Sequence, residues 1–148
     1  MNSKAQESLR LGKFVVECMK QRDHEPIIPI LHDNVLLEVV FPFIKGEDKT
    51  GTRYQHGNAV VAAHLRESTQ RTSEVKFDNE TWRTTDDGWA IFQADSDITL
   101  ADGRPFPQSY LFMFESFEGK IIRWLEYYNP VCAARAYGVT LDSVPYAT

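Results

Sequence analysis

The apolar positions in the first part of the chain recur with a helical period. Five of them follow the i, i+3, i+4, i+7, i+8 spacing of one buried helix face: Leu11, Phe14, Val15, Cys18 and Met19. This pattern predicts a first helix from about Lys4 to Arg22, which Ser3 and Gln6 would cap as a capping box.

A second, shorter helix and a strand are predicted next. Asp23 is a suitable N-cap, and Pro26 is tolerated in the first turn of a helix that ends near His32. The period then changes to two. Val35, Leu37, Val39 and Phe41 alternate with Leu36, Glu38 and Val40, a pattern typical of a strand, and Pro42 closes it. The polar segment from Lys45 to His56 is predicted to be a loop.

The third predicted helix carries two polar residues on its apolar face. It begins at Asn58, a good N-cap, and continues to about Thr69. His64 and Ser68 fall in the same sector as its apolar residues, which are Val60, Val61 and Leu65. Such a pair, one turn apart, indicates either satisfied core groups or the wall of a pocket.

From Val75 the chain is predicted to be a meander of four strands. The strands are about Val75 to Thr84, Trp89 to Leu100, Ser109 to Phe117 and Lys120 to Tyr128, and the three connections have hairpin turn chemistry. A short helix, Val131 to Tyr137, follows, with Asn129 and Pro130 at its start and Gly138 after it. This order predicts an α+β fold in which helices cover one side of a strongly curved antiparallel sheet.

The alternation within the strands separates an inner face from an outer face. In the second strand of the meander, Ala90, Phe92, Ala94, Ile98 and Leu100 share the inner face, whereas Gln93, Asp95 and Asp97 face water. In the last strand, Ile122, Trp124, Glu126 and Tyr128 share one face. Desolvation there would raise the pKa of Glu126, which suits a general acid near neutral pH. The alternative is that Glu126 pairs with a cation or lies on an exposed edge.

Composition narrows the class of protein. The chain has 148 residues, 17.0 kDa and a net charge of -5, and its 16 basic residues are scattered, so we expect one domain (residues 1–148) and no nucleic-acid partner. Cys18 and Cys132 are the only cysteines and form no CxxC motif, which predicts free thiols, a reducing compartment and no zinc. We expect no membrane segment and a cytoplasmic location, because no long apolar run or signal-like start is present.

The order of elements and the segment Asp33–Glu38 before a proline resemble the SnoaL-like branch of the nuclear transport factor 2-like (ketosteroid-isomerase-like, cystatin-like) superfamily. The ending is similar to that of the phenazine-biosynthesis A and B proteins, in Glu126-Tyr127-Tyr128-Asn129-Pro130-Val131 and Arg135-Ala136-Tyr137-Gly138-Val139. The resemblance implies a cone-shaped α+β barrel, wrapped around three N-terminal helices, with no metal or organic cofactor. It also implies Glu126 and His64 as acid and base in a condensation, isomerisation or cyclisation of a carbonyl or imine intermediate of secondary metabolism.

The chain departs from its resembled families at three places. The phenazine proteins carry a basic cluster where this chain has the uncharged run after Glu25, so a carboxylated precursor would lack its counter-charge there. Val39 or a neighbour stands where isomerases and cyclases of the superfamily often have an aspartate. No convincing Asp-Arg-Asp set of the epoxide-hydrolase kind is present, and Arg123 and Asp97 are its only candidates.

The remaining candidates would bind the substrate or have no chemical role. Tyr54 and His56 lie where they could line the mouth of a pocket, and Ser68 is better suited to donate a hydrogen bond than to act as a nucleophile. Trp124 and Tyr128 share the face of Glu126. His24 and His32 lack ligand spacing and are assigned no metal, although both flank the short second helix.

Two classes of function remain open on these residues. In the first, the space between helices and sheet is an active site for a small molecule, with Glu126 and His64 as its acid and base. In the second, the same space only binds a ligand, or the sheet only mediates dimerisation. A homodimer is expected in either case, because the aromatic sheet has two faces and a chain of this size covers one.

Overall fold

The computed structural model describes residues 2–41 and 53–138. The predicted helices and strands follow one another in the predicted order, and one additional strand makes the sheet six-stranded. The elements are α1 (Ser3–Gln21), a 3-10 helix (Glu25–Ile30), β1 (Leu31–Val39), β2 (Tyr54–His56), α2 (Asn58–Arg71), β3 (Thr72–Thr84), β4 (Trp89–Leu100), β5 (Pro105–Phe117), β6 (Lys120–Tyr128) and α3 (Pro130–Ala136). The predicted α+β class is confirmed.

The sheet has the order β2-β1-β6-β5-β4-β3 and is curved and unclosed. Strands β3 to β6 form the predicted antiparallel meander, and β6 lies inside the sheet between β5 and β1. Strand β1 runs parallel to β6, so the prediction of an entirely antiparallel sheet is wrong for this pair. The reason is that β2, α2 and the strands β3 to β5 lie between β1 and β6 along the chain, and such a long connection permits parallel pairing.

Helix α1 packs closely on the inner face of the sheet. Leu11 and Val15 are buried in one cluster with Phe112 and Trp124. At Gly12 a Cβ atom would lie 2.7 Å from Cδ2 of Phe114, so only glycine fits without a shift of the packing. Because Phe14 is 41% exposed, its predicted place on the buried face is wrong; the buried stripe of α1 turns toward Gly12 and Val16 instead.

Several helix starts differ from the prediction. Asn2, not Ser3, caps α1, since its Oδ1 accepts a hydrogen bond of 2.6 Å from the backbone N–H of Ala5. The second helix is a 3-10 helix, which suits a six-residue segment with prolines at two positions. Asn58 is the first residue of α2 and not its cap; its side-chain amide donates to the carbonyl oxygens of Ile28 and Leu31.

The strand boundaries also differ. Strand β1 starts at Leu31, four residues earlier than predicted, and ends at Val39. Tyr54 to His56, predicted as loop, pair with β1 as the edge strand β2; the predicted strand end at Pro42 and the loop residues 45–52 lie outside the described residues. Strand β5 includes Pro105 and Pro107, and both pair with β4. They lie beyond the end of β6, so no strand on their other side needs the N–H group that proline lacks.

A register shift moves one residue of β6 to the other face. The pairing with β5 slips between Glu115 and Ser116, as in a β-bulge, and Ile122 has no partner there. Ile121 is therefore fully buried, and Ile122, predicted on the inner face, is only half-buried. Beyond the shift the predicted alternation holds, so Trp124 and Glu126 reach the inner side.

Candidate active site

A cavity of about 130 Å³ lies between the helices and the inner face of the sheet. Its apolar wall comes from the sheet and helices and includes Val39, Leu65, Val75, Ile98, Phe106, Phe112 and Ala133. Its polar residues are Arg22, His24, His64, Ser68, Arg71, Thr72, Tyr110, Trp124, Glu126, Tyr128 and Tyr137. A mostly apolar cavity with a few convergent polar groups is the usual form of a small-molecule site.

Glu126 reaches the cavity from the middle of β6. It lies opposite Phe112 of β5 and Val39 of β1, and its backbone carbonyl accepts a hydrogen bond of 3.0 Å from Val40. Within residues 2–41 and 53–138 its carboxyl group has no hydrogen-bond or ion-pair partner, so the alternative of a pairing cation is not seen there. Burial alone raises the pKa of Glu126 to about 7.

His64 and Ser68 enter the same cavity from α2, one turn apart as predicted. Burial lowers the pKa of His64, and the positive charge of Arg71 lowers it further. Neither ring nitrogen of His64 bonds to a described residue, so the interpretation as a satisfied core histidine gains no support. At neutral pH the ring is uncharged and presents one nitrogen as an acceptor.

Two arginines that the sequence did not predict as site residues also line the cavity. Arg71 ends α2 and forms an ion pair with Glu67 one turn earlier. Arg22 follows α1 with φ of 54°, and its guanidinium donates to Thr69 O at 3.0 Å and to Thr72 Oγ1 at 3.5 Å. They supply positive charge at a place other than the second-helix region, where the phenazine proteins have theirs.

Tyrosines surround Glu126 as well. Tyr110 and Tyr128 are a cross-strand pair with ring centroids 6.0 Å apart. Burial raises the pKa of both hydroxyls, and the negative charge of Glu126 raises it further. Burial likewise raises the pKa of Tyr137, the residue that follows α3. All three phenols therefore keep their protons and can donate hydrogen bonds at any physiological pH.

Trp124 lines the cavity and leaves a polar atom unsatisfied. The residue is fully buried, and its ring packs on Phe114 with centroids 5.4 Å apart. Its Nε1 is the one buried side-chain nitrogen or oxygen without a hydrogen-bond partner among the described residues. Buried donors are normally paired, so an orphan next to a cavity is a candidate contact for a ligand.

Other predicted site residues lie elsewhere. Tyr54 does not line the cavity; it sits on the edge strand β2, is 55% exposed and has the guanidinium of Arg53 5.3 Å from its ring centroid. Arg123 lies over the ring of Trp89, and Asp97 is exposed on the outer face. Neither residue reaches the cavity, so the described lining contains no Asp-Arg-Asp set.

His24 has a structural role in addition to lining the cavity. Its Nδ1 donates to the carbonyl oxygen of Leu65 at 3.0 Å and contacts Oγ1 of Thr69, which ties the start of the 3-10 helix to α2. Burial lowers its pKa, so this ring too is neutral at pH 7. Cys18 and Cys132 are unpaired.

The described residues contain neither a cluster suited to a metal ion nor a helix suited to a membrane. No group of three or more His, Cys, Asp or Glu side chains in them is placed to hold a metal ion. None of their helices is long and apolar enough to cross a membrane.

The segment after Glu126 has a local structural role. Asn129 caps α3, with its Oδ1 accepting from the N–H groups of Val131 and Cys132, and Pro130 occupies the first helical position. The buried amide of Gln108 bonds to both backbone groups of Asn129 at 2.8 Å. These bonds hold α3, with Ala133 and the following Tyr137, against the cavity.

Comparison with known proteins supports the fold. No protein-family model matches the chain. The uncharacterized protein YesE of Bacillus subtilis is 28% identical over 139 residues, covering 91% of this chain and 88% of YesE. Because YesE is uncharacterized, this likeness brings no activity with it.

Solved structures resemble the chain over most of its length. A Bacillus subtilis protein for which isomerase activity has been suggested matches with a TM-score of 0.77 and 19% identity, covering 95% of this chain and 98% of that one. A nuclear transport factor 2-like protein from Burkholderia xenovorans matches at 0.69 and 18%, covering 89% and 96%. An epoxide hydrolase of Mycobacterium tuberculosis matches at 0.65 and 16%, covering 91% and 98%.

These likenesses identify the fold. The chain has the nuclear transport factor 2-like fold, an α+β cone, as its sequence predicted. At identities below 20% they carry no activity with them. The closeness to the phenazine-biosynthesis proteins stays a prediction.

Proposed function

We propose that the protein is an enzyme that uses Glu126 and His64, without a cofactor, to isomerise, cyclise or condense a small carbonyl or imine compound. One observation carries the proposal. A carboxyl group and an imidazole, neither with a partner among the described residues, line the same small cavity from opposite layers of the fold. Side chains that serve only as scaffold have no reason to be left unpaired there.

The two pKa shifts support these roles. The pKa of Glu126 is about 7, whereas that of His64 is below its usual 6.5. Between the two values Glu126 holds a proton and His64 does not. Glu126 therefore donates a proton to the carbonyl oxygen or imine nitrogen, and His64 accepts one from the neighbouring carbon. Ser68, Trp124 and Tyr128 would orient the substrate.

Known proteins of this fold support a catalytic role in general terms. One has a suggested isomerase activity, and another is an epoxide hydrolase. Epoxide hydrolysis by an Asp-Arg-Asp set is the less suitable reaction here, because Glu126 is the one carboxylate among the described residues that line the cavity. The residues after Glu126 start α3, with Asn129 as its cap and Pro130 as its first residue. Their presence therefore has a structural explanation that does not require phenazine chemistry.

Deuterium exchange tests the proposal. Small aryl ketones, keto acids and imines are incubated with the protein in D2O, and loss of the proton beside the carbonyl is followed by NMR. We expect acceleration by the wild type and a loss of roughly a hundred- to ten-thousand-fold in Glu126→Gln. His64→Asn should lose activity as well, and the double variant should lose less than the product of the two single effects.

The matched control is Glu17→Gln, which changes an exposed glutamate of α1 and should leave exchange unchanged. Full activity in Glu126→Gln would end the acid/base proposal. Saturable binding of these compounds without any exchange would support the alternative, a module that binds a ligand and does not transform it.

We also propose that the protein is a homodimer that pairs through the outer face of the sheet. Ile91, Met113 and Leu125 are neighbours across β4, β5 and β6, and all three are half-buried. An apolar row in the middle of a sheet is suited to a self-complementary contact. The cytoplasmic location and the secondary-metabolite substrate stay predictions.

A further inference from the structure

Arg22 brings an uncompensated positive charge to the cavity. It is half-buried, lines the cavity, and is held by the oxygens of Thr69 and Thr72, which are uncharged acceptors. No carboxylate lies within ion-pair distance of it in the part of the chain that the structure describes. A guanidinium has five N–H donors, and these two bonds leave donors free to pair with an anion.

Arg71 adds a second guanidinium to the same lining, and this one is ion-paired with Glu67 at 2.5 Å. Its charge lowers the pKa of His64 and opposes the upward shifts of Tyr128 and Tyr137, so it lies near all three. Glu126 shows no such influence, because burial is the one cause of its shift. Arg22, Arg71 and Glu126 all line this one cavity.

Much of the cavity wall is aromatic. Phe106, Phe112, Tyr110 and Trp124 line it, and Tyr110 and Phe112 pack with ring centroids 5.0 Å apart. Flat apolar surfaces favour a planar ligand body. The unpaired Nε1–H of Trp124 offers a donor two residues from Glu126.

We infer that the substrate is a small planar organic anion, whose anionic group pairs with Arg22 and Arg71 while its carbonyl or imine lies at Glu126 and Trp124. The inference rests on the proposed function for the reacting end and on the unpaired Arg22 for the anionic end.

A pair of probes of one shape and different charge tests it. Benzoate and benzamide are titrated separately into the protein at about pH 6, where Glu126 keeps its proton, and the indole N–H resonance of Trp124 is followed by NMR. The resonance is assigned from its absence in Trp124→Phe. We expect benzoate to bind roughly tenfold or more tightly than benzamide, because a charge-assisted pair with a guanidinium is stronger than a neutral hydrogen bond.

Three variants locate the effect. Arg22→Gln should remove most of the preference for benzoate, and Arg22→Lys should keep part of it, since the charge stays and the planar fork is lost. Arg10→Gln, at an exposed arginine of α1 paired with Glu7, is the control and should change nothing. If Arg22→Gln fails to fold, Arg71→Gln should still weaken benzoate more than benzamide.

The outcomes separate this inference from the proposed function. Glu126→Gln should retain the preference for benzoate even though it loses proton exchange, so failure of one does not imply failure of the other. Equal affinity of the two probes, no shift of the Trp124 resonance with benzoate, or an unchanged preference in both arginine variants would overturn the inference.

Discussion

Glu126 makes the stability of the fold depend on pH. Its pKa is about 7 in the folded protein and near the ordinary glutamate value of about 4.5 when unfolded. A group whose pKa is raised by folding contributes stability that is fully present below the unfolded value and lost as the pH rises through the folded value. Each pKa unit corresponds to about 1.4 kcal/mol, so the loss approaches about 3 kcal/mol above neutral pH.

The variant Glu126→Gln should remove this dependence. We expect it to be more stable than the wild type by up to about 3 kcal/mol at about pH 8 and to differ little at about pH 4.5, because glutamine never ionises. Urea unfolding at both pH values measures the difference. Glu17→Gln, in an exposed position, should show no such pH-dependent gain; a constant difference between Glu126→Gln and wild type at both pH values would contradict the account.

At the residue scale, periodicity predicted the groups that regular elements carry inward. His64 and Ser68 follow from the period of α2, and Glu126 from the alternation of β6. Arg71 continues the same helical stripe at i+7 from His64, and it was missed because α2 was predicted to end at Thr69. No periodicity could place Arg22, because its direction depends on the left-handed backbone after α1 and on acceptors fifty residues away.

At the scale of elements, the contact of α1 with the sheet depends on one missing side chain. Gly12 lies against Phe114 and Trp82, with no room for a Cβ atom. The variant Gly12→Val should therefore destabilise the protein by about 1–3 kcal/mol, despite the higher helix propensity of valine. Thermal unfolding followed by circular dichroism measures the effect.

The control is Lys13→Val, the next residue, which is exposed in the same helix. It should cost no more than about 0.5 kcal/mol, the difference in helix propensity. If Gly12→Val were as stable as the wild type, helix α1 would have to sit farther from the sheet than the structure shows.

Element order and most element types could be predicted, whereas several boundaries and one pairing could not. The meander could be predicted from its hairpin turns, because Gly88, Gly103 and Gly119 occupy backbone conformations that favour glycine. The extension of β5 through Pro105 and the register shift at Ile122 both depend on which neighbour a strand has at each point. A local pattern does not contain that information, and the parallel pairing of β1 with β6 escaped prediction for the same reason.

At the scale of the whole molecule, the sheet presents an apolar row that its own helices do not cover. We expect light scattering to give a dimer at roughly micromolar concentration, since this row is suited to a twofold contact. Leu125→Glu should give a monomer, because it would place a charge in the contact. Lys13→Glu, at an exposed position of α1 and not on the sheet, is the control and should leave the dimer intact; a monomeric wild type would contradict the proposal.

The cavity is also a property of the assembled molecule, since α1, α2, the sheet and α3 each contribute only a part of its wall. The sequence predicted that His64 and Glu126 would both face inward, but their common cavity depends on the curvature of the sheet and on the position of α3. That position depends in turn on the bonds between Gln108 and Asn129, two residues that no motif joined in advance.

The titration of Glu126 is the sharpest test of its role as the acid, because this measurement needs no knowledge of the substrate. Side-chain carboxyl carbons of the glutamates are followed by NMR from about pH 3 to about pH 9, and Glu126→Gln identifies the resonance. We predict that one glutamate resonance titrates near pH 7, because Glu126 is buried without a partner. This resonance should be absent from the variant. A resonance of Glu126 that titrates below about pH 5 would contradict it, since the carboxyl group would then be ionised at neutral pH and could not serve as the acid.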